Sequence, residues 1–275
     1  MKTKNLLVVL AIALVFAFVA VIGFSMIACS NGGDSSDNTS GNNSSAINPQ
    51  SANVYYEDSS FPVSGIDANV YMYIEGYYNS ENDYFEMKIP TPIGKITNGK
   101  LSFTLPNVSA YADKGLPIAE EFSEPAGYTK TETGEGWTST YKVTKNTMEF
   151  AGLQDAKTLW GDISFSHEGK EYWLGYRNET TVAFLVYFNK PGTLKGEFNE
   201  VYTSTDNGNI STRTYNDTYN CTFSAGWNVI YINYTSSSGS STYTYNYSNS
   251  TNSPANVATM RWMIVGGGSG APSQN

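Results

Sequence analysis

Strict alternation of apolar and polar residues constrains this chain more than anything else in it. Val70, Met72 and Ile74 alternate with Tyr71 and Tyr73, Phe85, Met87 and Ile89 with Glu86 and Lys88, and Leu101, Phe103 and Leu105 with Ser102 and Thr104. A period of two sends successive side chains to opposite sides of an extended backbone, so each segment reads as a strand with one face in and one face out. The second half repeats the pattern. Ile163 and Phe165, then Tyr172, Leu174 and Tyr176, flank Ser166-His-Glu-Gly169, which predicts a hairpin. Leu194 and Phe198, Cys221 and Phe223, and Met260, Trp262 and Ile264 continue it. Residues 181–188 and 227–234 are apolar at both parities, the mark of strands covered on both faces. Helix is nearly absent. Residues 116–122 open with Leu116-Pro117, where proline suits a first turn, and 154–160 allow one more single turn. Roughly ten or more short strands separated by turn residues predict an all-β fold, an antiparallel β-sandwich with little helix, as one large sandwich or two small ones in tandem.

The two ends are built differently. Lys2 and Lys4 precede a charge-free apolar run from Leu6 to Phe24, followed by Met26-Ile-Ala-Cys29-Ser30. A positive start, an apolar stretch and a small residue before a cleavage point make a secretory leader. With Cys29 behind Ala28, the chain resembles a bacterial lipoprotein, with Met26 standing where that pattern has Leu, as in the relaxed signals of spirochaetes. The resemblance implies cleavage after Ala28 and acylation of Cys29 on its thiol and its new amine. It also implies sorting to the outer membrane or cell surface, because Ser30 stands where Asp favours inner-membrane retention. The alternative is a retained membrane span, since about 20 apolar residues suffice to cross a bilayer. Lysines only on the N-terminal side keep that end cytoplasmic, so both readings export everything after Cys29. Three acyl chains exceed what stable anchoring needs.

The expected organisation is a signal peptide over 1–28, a lipidated Cys29 and tether over 29–53, an exported β domain over 54–265 and a flexible tail over 266–275. The tether is Ser, Asn, Gly and Asp with almost nothing apolar, a composition that cannot offset the entropy of folding. A sub-boundary is expected near 151–160. The formal net charge is −9 and becomes more negative when Lys2 and Lys4 leave with the leader. That argues against nucleic acid, which recruits a cationic face. Segments 93–106, 188–198 and 221–231 resemble those of spirochaetal lipoproteins. That likeness implies an all-β domain with a transthyretin-like strand arrangement at its front, and it brings no activity with it.

No catalytic constellation is visible, and no cofactor or metal is called for. His167 is the only histidine, in a turn between Ser166 and Glu168, so any Ser-His-Asp arrangement depends on it alone. Cys221 is the only cysteine besides Cys29, and alternation with Tyr219 and Phe223 reads it as buried and inert. Asp206-Asn-Gly-Asn209 lacks the spacing and terminal Glu of a calcium loop and reads as a hairpin turn. Gly266, Gly267, Gly268 and Gly270 follow a strand with no helix after them, so they cannot cradle a dinucleotide. Glu120, Glu121, Glu124, Asp155 and Asp162 are the nearest to a carboxylate cluster, the pairing that glycoside hydrolysis uses. The binding candidates are aromatic. Tyr243, Tyr245 and Tyr247 would share one face of a strand, and Trp137 sits in a Gly134-Glu-Gly-Trp loop; such rings offer broad contact area at low entropy cost. The expectation is a membrane-anchored binding or adhesion module for a protein or glycan ligand, with a surface carbohydrate hydrolase and a structural role in the envelope as alternatives.

Overall fold

The computed structural model describes residues 48–57, 59–77, 84–115 and 117–267. The expected leader, Cys29, the expected tether up to residue 47 and the expected tail from 268 onward lie outside the described residues. Strand makes up 63% and helix 6%, so the chain is all-β with little helix. The first strands are β1 (Ala52–Tyr56), β2 (Ala68–Tyr77), β3 (Tyr84–Lys88), β4 (Gly94–Thr97) and β5 (Lys100–Phe103). A 3-10 turn (Ser109–Lys114) and the four-residue helix α1 (Ile118–Glu121) follow. Next come β6 (Thr129–Gly134), β7 (Trp137–Asn146), β8 (Glu149–Ala151), β9 (Thr158–His167), β10 (Lys170–Arg177) and β11 (Thr181–Phe188). The chain closes with β12 (Gly192–Asp206), β13 (Asn209–Phe223), β14 (Gly226–Ser238), β15 (Thr242–Ser250) and β16 (Arg261–Gly267).

These strands do not form the two packed sheets of a sandwich. One continuous sheet runs through them, and its front closes on itself as an eight-stranded barrel, β2-β4-β5-β1-β16-β10-β11-β9 and back to β2. Closure removes edges that a sandwich leaves open. It depends on β1 pairing parallel to β16 and β2 pairing antiparallel to β9, partners far apart in the chain. With β13 also parallel to β15, the sheet is mixed rather than purely antiparallel. The rest of the sheet continues open from β11 through β14, β15, β13, β12 and β7 to β6, with β8 beside the start of β12. Strands on either side of residues 151–160 pair within the same barrel, as β2 does with β9.

The alternating segments fill the barrel. Val70, Met72, Ile74, Leu101, Ile163 and Phe165 are buried there, with Phe103 and Trp262 edge to face at 5.3 Å. The two segments apolar at both parities become a shared wall. Leu185, Tyr187, Val229 and Tyr231 pack with the barrel core, whereas Val186, Phe188, Ile230 and Ile232 pack in a second core with Leu153, Leu194, Cys221 and Phe223. The turn Glu168-Gly169 has φ of 50° and 74°, and Asn207-Gly208 has 48° and 85°. Two left-handed residues in a two-residue loop match the twist of the flanking strands, which is why glycine takes the second place. Residues 154–160 form no helix. A hydrogen-bonded turn, closed by the Ala156 amide donating to the Leu153 carbonyl at 3.0 Å, leads into β9, where Leu159 is needed as a barrel strand residue, fully buried.

Candidate functional site

Register across the open sheet sorts its residues onto two faces. Tyr141 of β7 lies opposite Tyr202 of β12, Tyr202 opposite Arg213 of β13, and Arg213 opposite Tyr243 of β15. The same face carries Trp137, Glu200, Tyr215, Asp217, Tyr219, Tyr245 and Tyr247, and reaches Tyr234, Phe184 and Trp160 across β14, β11 and β9. The opposite face is threonine. Thr131, Thr140, Thr203, Thr212 and Thr242 stand side by side across five strands, and Thr131 and Thr140 meet hydroxyl to hydroxyl at 3.1 Å.

Rings on the aromatic face form an unbroken run. Tyr141 and Tyr202 are 4.9 Å apart between centroids, Tyr202 and Tyr215 5.6 Å, Tyr215 and Tyr245 5.1 Å, and Tyr245 and Tyr247 6.4 Å. Tyr215, Tyr245 and Tyr247 stack nearly parallel, so they spend their ring faces on each other. What stacked tyrosines offer a ligand is a rim of edges and phenolic hydroxyls. Far from the hairpin tips the face is covered by α1 and the chain around it: Phe122 packs on Phe150, Phe198 and Tyr219. Asn146 ties this cover down by donating to the carbonyls of Phe122 and Glu124, at 2.8 and 2.9 Å. Toward the tips the face is open. Tyr202, Tyr215, Tyr234 and Tyr245 are partly exposed there, and Tyr243 and Trp137 are 37% and 42% exposed.

Three carboxyl groups lie at the boundary between the covered and open parts. Burial pushes Glu200 up to about 7, against hydrogen bonds from the Tyr141 and Tyr202 hydroxyls that favour its charged form. Burial, then the Glu200 charge, pushes Asp217 up to about 7, while Asn249 Nδ2 donates to it at 3.4 Å. Burial does the same for Glu121, opposed by the Trp160 indole N–H. Tyr219 is raised well above its ordinary value by burial first and then by the charges of Asp217, Glu121 and Glu200. Each is a proton holder near neutral pH, the property required of a general acid.

A second polar group sits on the barrel's outer surface. Glu171 accepts from Lys88 Nζ at 2.8 Å, from the Tyr73 hydroxyl at 3.0 and 3.1 Å and from Ser164 at 3.1 Å. Lys88 also lies over the rings of Tyr71 and Tyr73. This cluster satisfies itself. Nearby, burial and then the Glu75 and Glu86 charges push Asp162 up to about 7.

Of the residues singled out in the sequence, Tyr243, Tyr245 and Tyr247 do lie on one face of β15, with Trp137 on the same face of the sheet. They differ in depth: Tyr247 is 4% exposed and belongs to the second core. The Trp137 indole folds back over Gly134, where a β-carbon would collide with the ring. The five carboxylates are dispersed. Glu120 is exposed, Asp155 pairs with Lys190 on the surface and Asp162 is on the barrel; Glu121, beside Trp160, and Glu124, whose charge acts on Tyr141, stay by the aromatic face. His167 is partly covered, 4.0 Å from Glu168. Cys221 is buried, and burial pushes its thiol up to about 12. Sequence reasoning missed Glu200 and Asp217. Their signal was present in parity: Glu200 lies between Phe198 and Tyr202, and Asp217 between Tyr215 and Tyr219, at positions that otherwise point into an aromatic face.

Among the described residues no three His, Cys, Asp or Glu side chains are grouped to hold a metal ion. No protein-family model matches the chain, and neither a curated protein nor a solved structure matches it.

Proposed function

We propose that this chain is a lipid-anchored protein of the bacterial cell envelope, held at the outer membrane or cell surface through Cys29, whose aromatic face binds a glycan or protein ligand without chemistry. The observation that carries the reading is the run Tyr141–Tyr202–Tyr215–Tyr245 across four strands, opening onto Tyr243 and Trp137 at its solvent side. Rigid strands hold the rings, so a ligand orders little on binding. The phenolic rim suits a hydroxyl-rich chain such as a glycan, and the exposed indole adds a stacking surface. The placement of the described N-terminus agrees with such a role. Asn48 accepts from the Leu105 amide, and the neighbouring Pro106 carbonyl accepts from Trp227 at the start of β14. The hairpin tip at the far end of β14 lies about 35 Å away at the rise of an extended strand. Asn48 thus lies toward one end of β14 and the open aromatic rim toward the other.

Two measurements test this. Cys29→Ala should move the mature-sized protein out of the membrane fraction; full-length protein that stays membrane-bound defeats the anchor. Binding to a glycan array should quench Trp137 fluorescence and weaken at least tenfold in Tyr243→Ala with Tyr245→Ala. An array that stays blank, together with unchanged capture of surface proteins by that double variant, defeats the aromatic face as the site.

A second reading, a surface carbohydrate hydrolase, is favoured by one observation: Glu121, Glu200 and Asp217 hold protons near neutral pH beside a row of tyrosines. One such carboxyl could protonate a glycosidic oxygen while another in its charged form acts as base or nucleophile. Polysaccharide turnover at pH 5 to 6 that disappears in Glu200→Gln or Asp217→Asn would promote it over plain binding.

A further inference from the structure

Among the described residues β6 pairs on one side only, with β7, and ends the sheet. The phase of its hydrogen bonds is fixed by the Val143 amide, which donates to the Tyr128 carbonyl at 3.0 Å. Partners in an antiparallel ladder alternate between bonded and non-bonded pairs, so Lys130, Glu132 and Gly134 direct their amide and carbonyl groups to β7. Thr129, Thr131 and Thr133 therefore turn theirs outward, and all three are exposed. Natural edges are usually guarded by proline, bulges or charged side chains, which repel a second copy unless opposite charges meet across the pairing. Within residues 129–134 this one has no proline, the bulge that sets Gly127 and Tyr128 against Val143 lies just before it, and its two charges, Lys130 and Glu132, are opposite.

The sequence of that edge is complementary to itself. With a two-fold axis through Thr131, a second β6 running antiparallel brings Thr131 opposite Thr131 of the second copy and Thr129 opposite its Thr133. All of these are outward-facing positions, so the pairing forms bonded pairs, about six backbone hydrogen bonds in all. Lys130 then falls opposite Glu132 of the second copy, and Glu132 opposite its Lys130. Those are non-bonded pairs, where facing side chains come closest and opposite charges contribute most. Within one copy Lys130 Nζ already meets Glu132 Oε1 at 2.8 Å, so both side chains lie over the strand on the aromatic face. No other register of the strand on itself sets both lysines against glutamates.

We propose that β6 is a dimerisation edge whose partner is a second copy of this chain, joined antiparallel about Thr131. The joined sheet carries the threonine row from one copy into the next and sets the two aromatic faces side by side. A ligand held by both gains the effective concentration of a tethered pair. The dimer itself is independent of what the aromatic face binds.

Sedimentation equilibrium of the full chain in detergent tests this, read as differences among variants so that the anchor is common to all. The parent should associate as a dimer. Thr131→Pro removes an amide that the monomer does not use, a substitution edge strands tolerate, and should raise the dimer dissociation constant at least tenfold with an unchanged circular-dichroism spectrum. Lys130→Glu should do the same, and Lys130→Glu with Glu132→Lys should restore association. A parent that is monomeric up to about 100 µM, or a dimer that Lys130→Glu leaves unchanged, overturns the proposal. Should Thr131→Pro unfold the chain, the charge variants decide it.

Discussion

The barrel and the open sheet are made from one continuous set of strands, yet they handle polarity in opposite ways. The barrel interior is almost wholly apolar, with Val70, Met72, Ile74, Leu101 and Phe165 at or near zero exposure. The aromatic face of the open sheet places Glu121, Glu200 and Asp217 among tyrosines and satisfies them by phenol, indole and amide hydrogen bonds. Burying a carboxyl costs several kcal/mol unless it is paired or protonated. A chain that accepts this cost in one region and avoids it in the other keeps its carboxyl groups away from the barrel core.

The largest expected effect breaks the barrel side of that contrast. Phe165→Ala should lower stability by about 3–5 kcal/mol through lost contacts and the cavity left behind. Urea unfolding checks it, and a loss under about 1 kcal/mol would mean the barrel interior collapses around the gap. On the open sheet, Tyr247→Ala and Tyr243→Ala should split. The first removes a ring 4% exposed and should cost about 3 kcal/mol. The second, 37% exposed, should stay within about 0.5 kcal/mol while weakening binding. Equal losses would show both to be core residues.

Acidity provides the next test. Glu121, Glu200, Asp217 and Asp162 bind their protons more tightly folded than unfolded. Their contribution is fully present below the unfolded value of about 4 and is lost as the pH rises through about 7. The melting temperature should therefore fall between pH 5 and pH 8, by on the order of 5 °C. Glu200→Gln with Asp217→Asn should flatten that slope, whereas a flat profile in the parent would show these groups to be solvated. The smallest effect is a null one. Cys221 should resist iodoacetamide at pH 8 in the folded protein, and rapid alkylation would reveal local opening of the second core.

Much of the barrel was legible because its cue is local. Val70 to Ile74 and Ile163 to Phe165 declare which side faces in, and 181–188 declares a strand covered twice. Closure was not legible. It rests on β1 meeting β16 and β2 meeting β9, and alternation says which face a residue takes, never which strand it meets. The site fared less well for the same reason. Tyr243, Tyr245 and Trp137 were visible because aromatic residues stand out in a polar strand. Glu200 and Asp217 come from two different strands and gain their meaning only when Tyr141, Tyr202 and Tyr219 are folded around them. A charged residue at an inward parity was the one hint, and among many exposed acids it is faint.

Strand β11 of the barrel and its neighbour β14 each send side chains into the barrel core and into the second core at once. Loosening Val186 or Ile230 would therefore propagate to Leu185 and Val229 through the same few peptide units, so neither half has a private melting point. Calorimetry on such a molecule should record a single endotherm, and a load applied at the hairpin tips would be carried into the barrel rather than absorbed in the sheet that receives it.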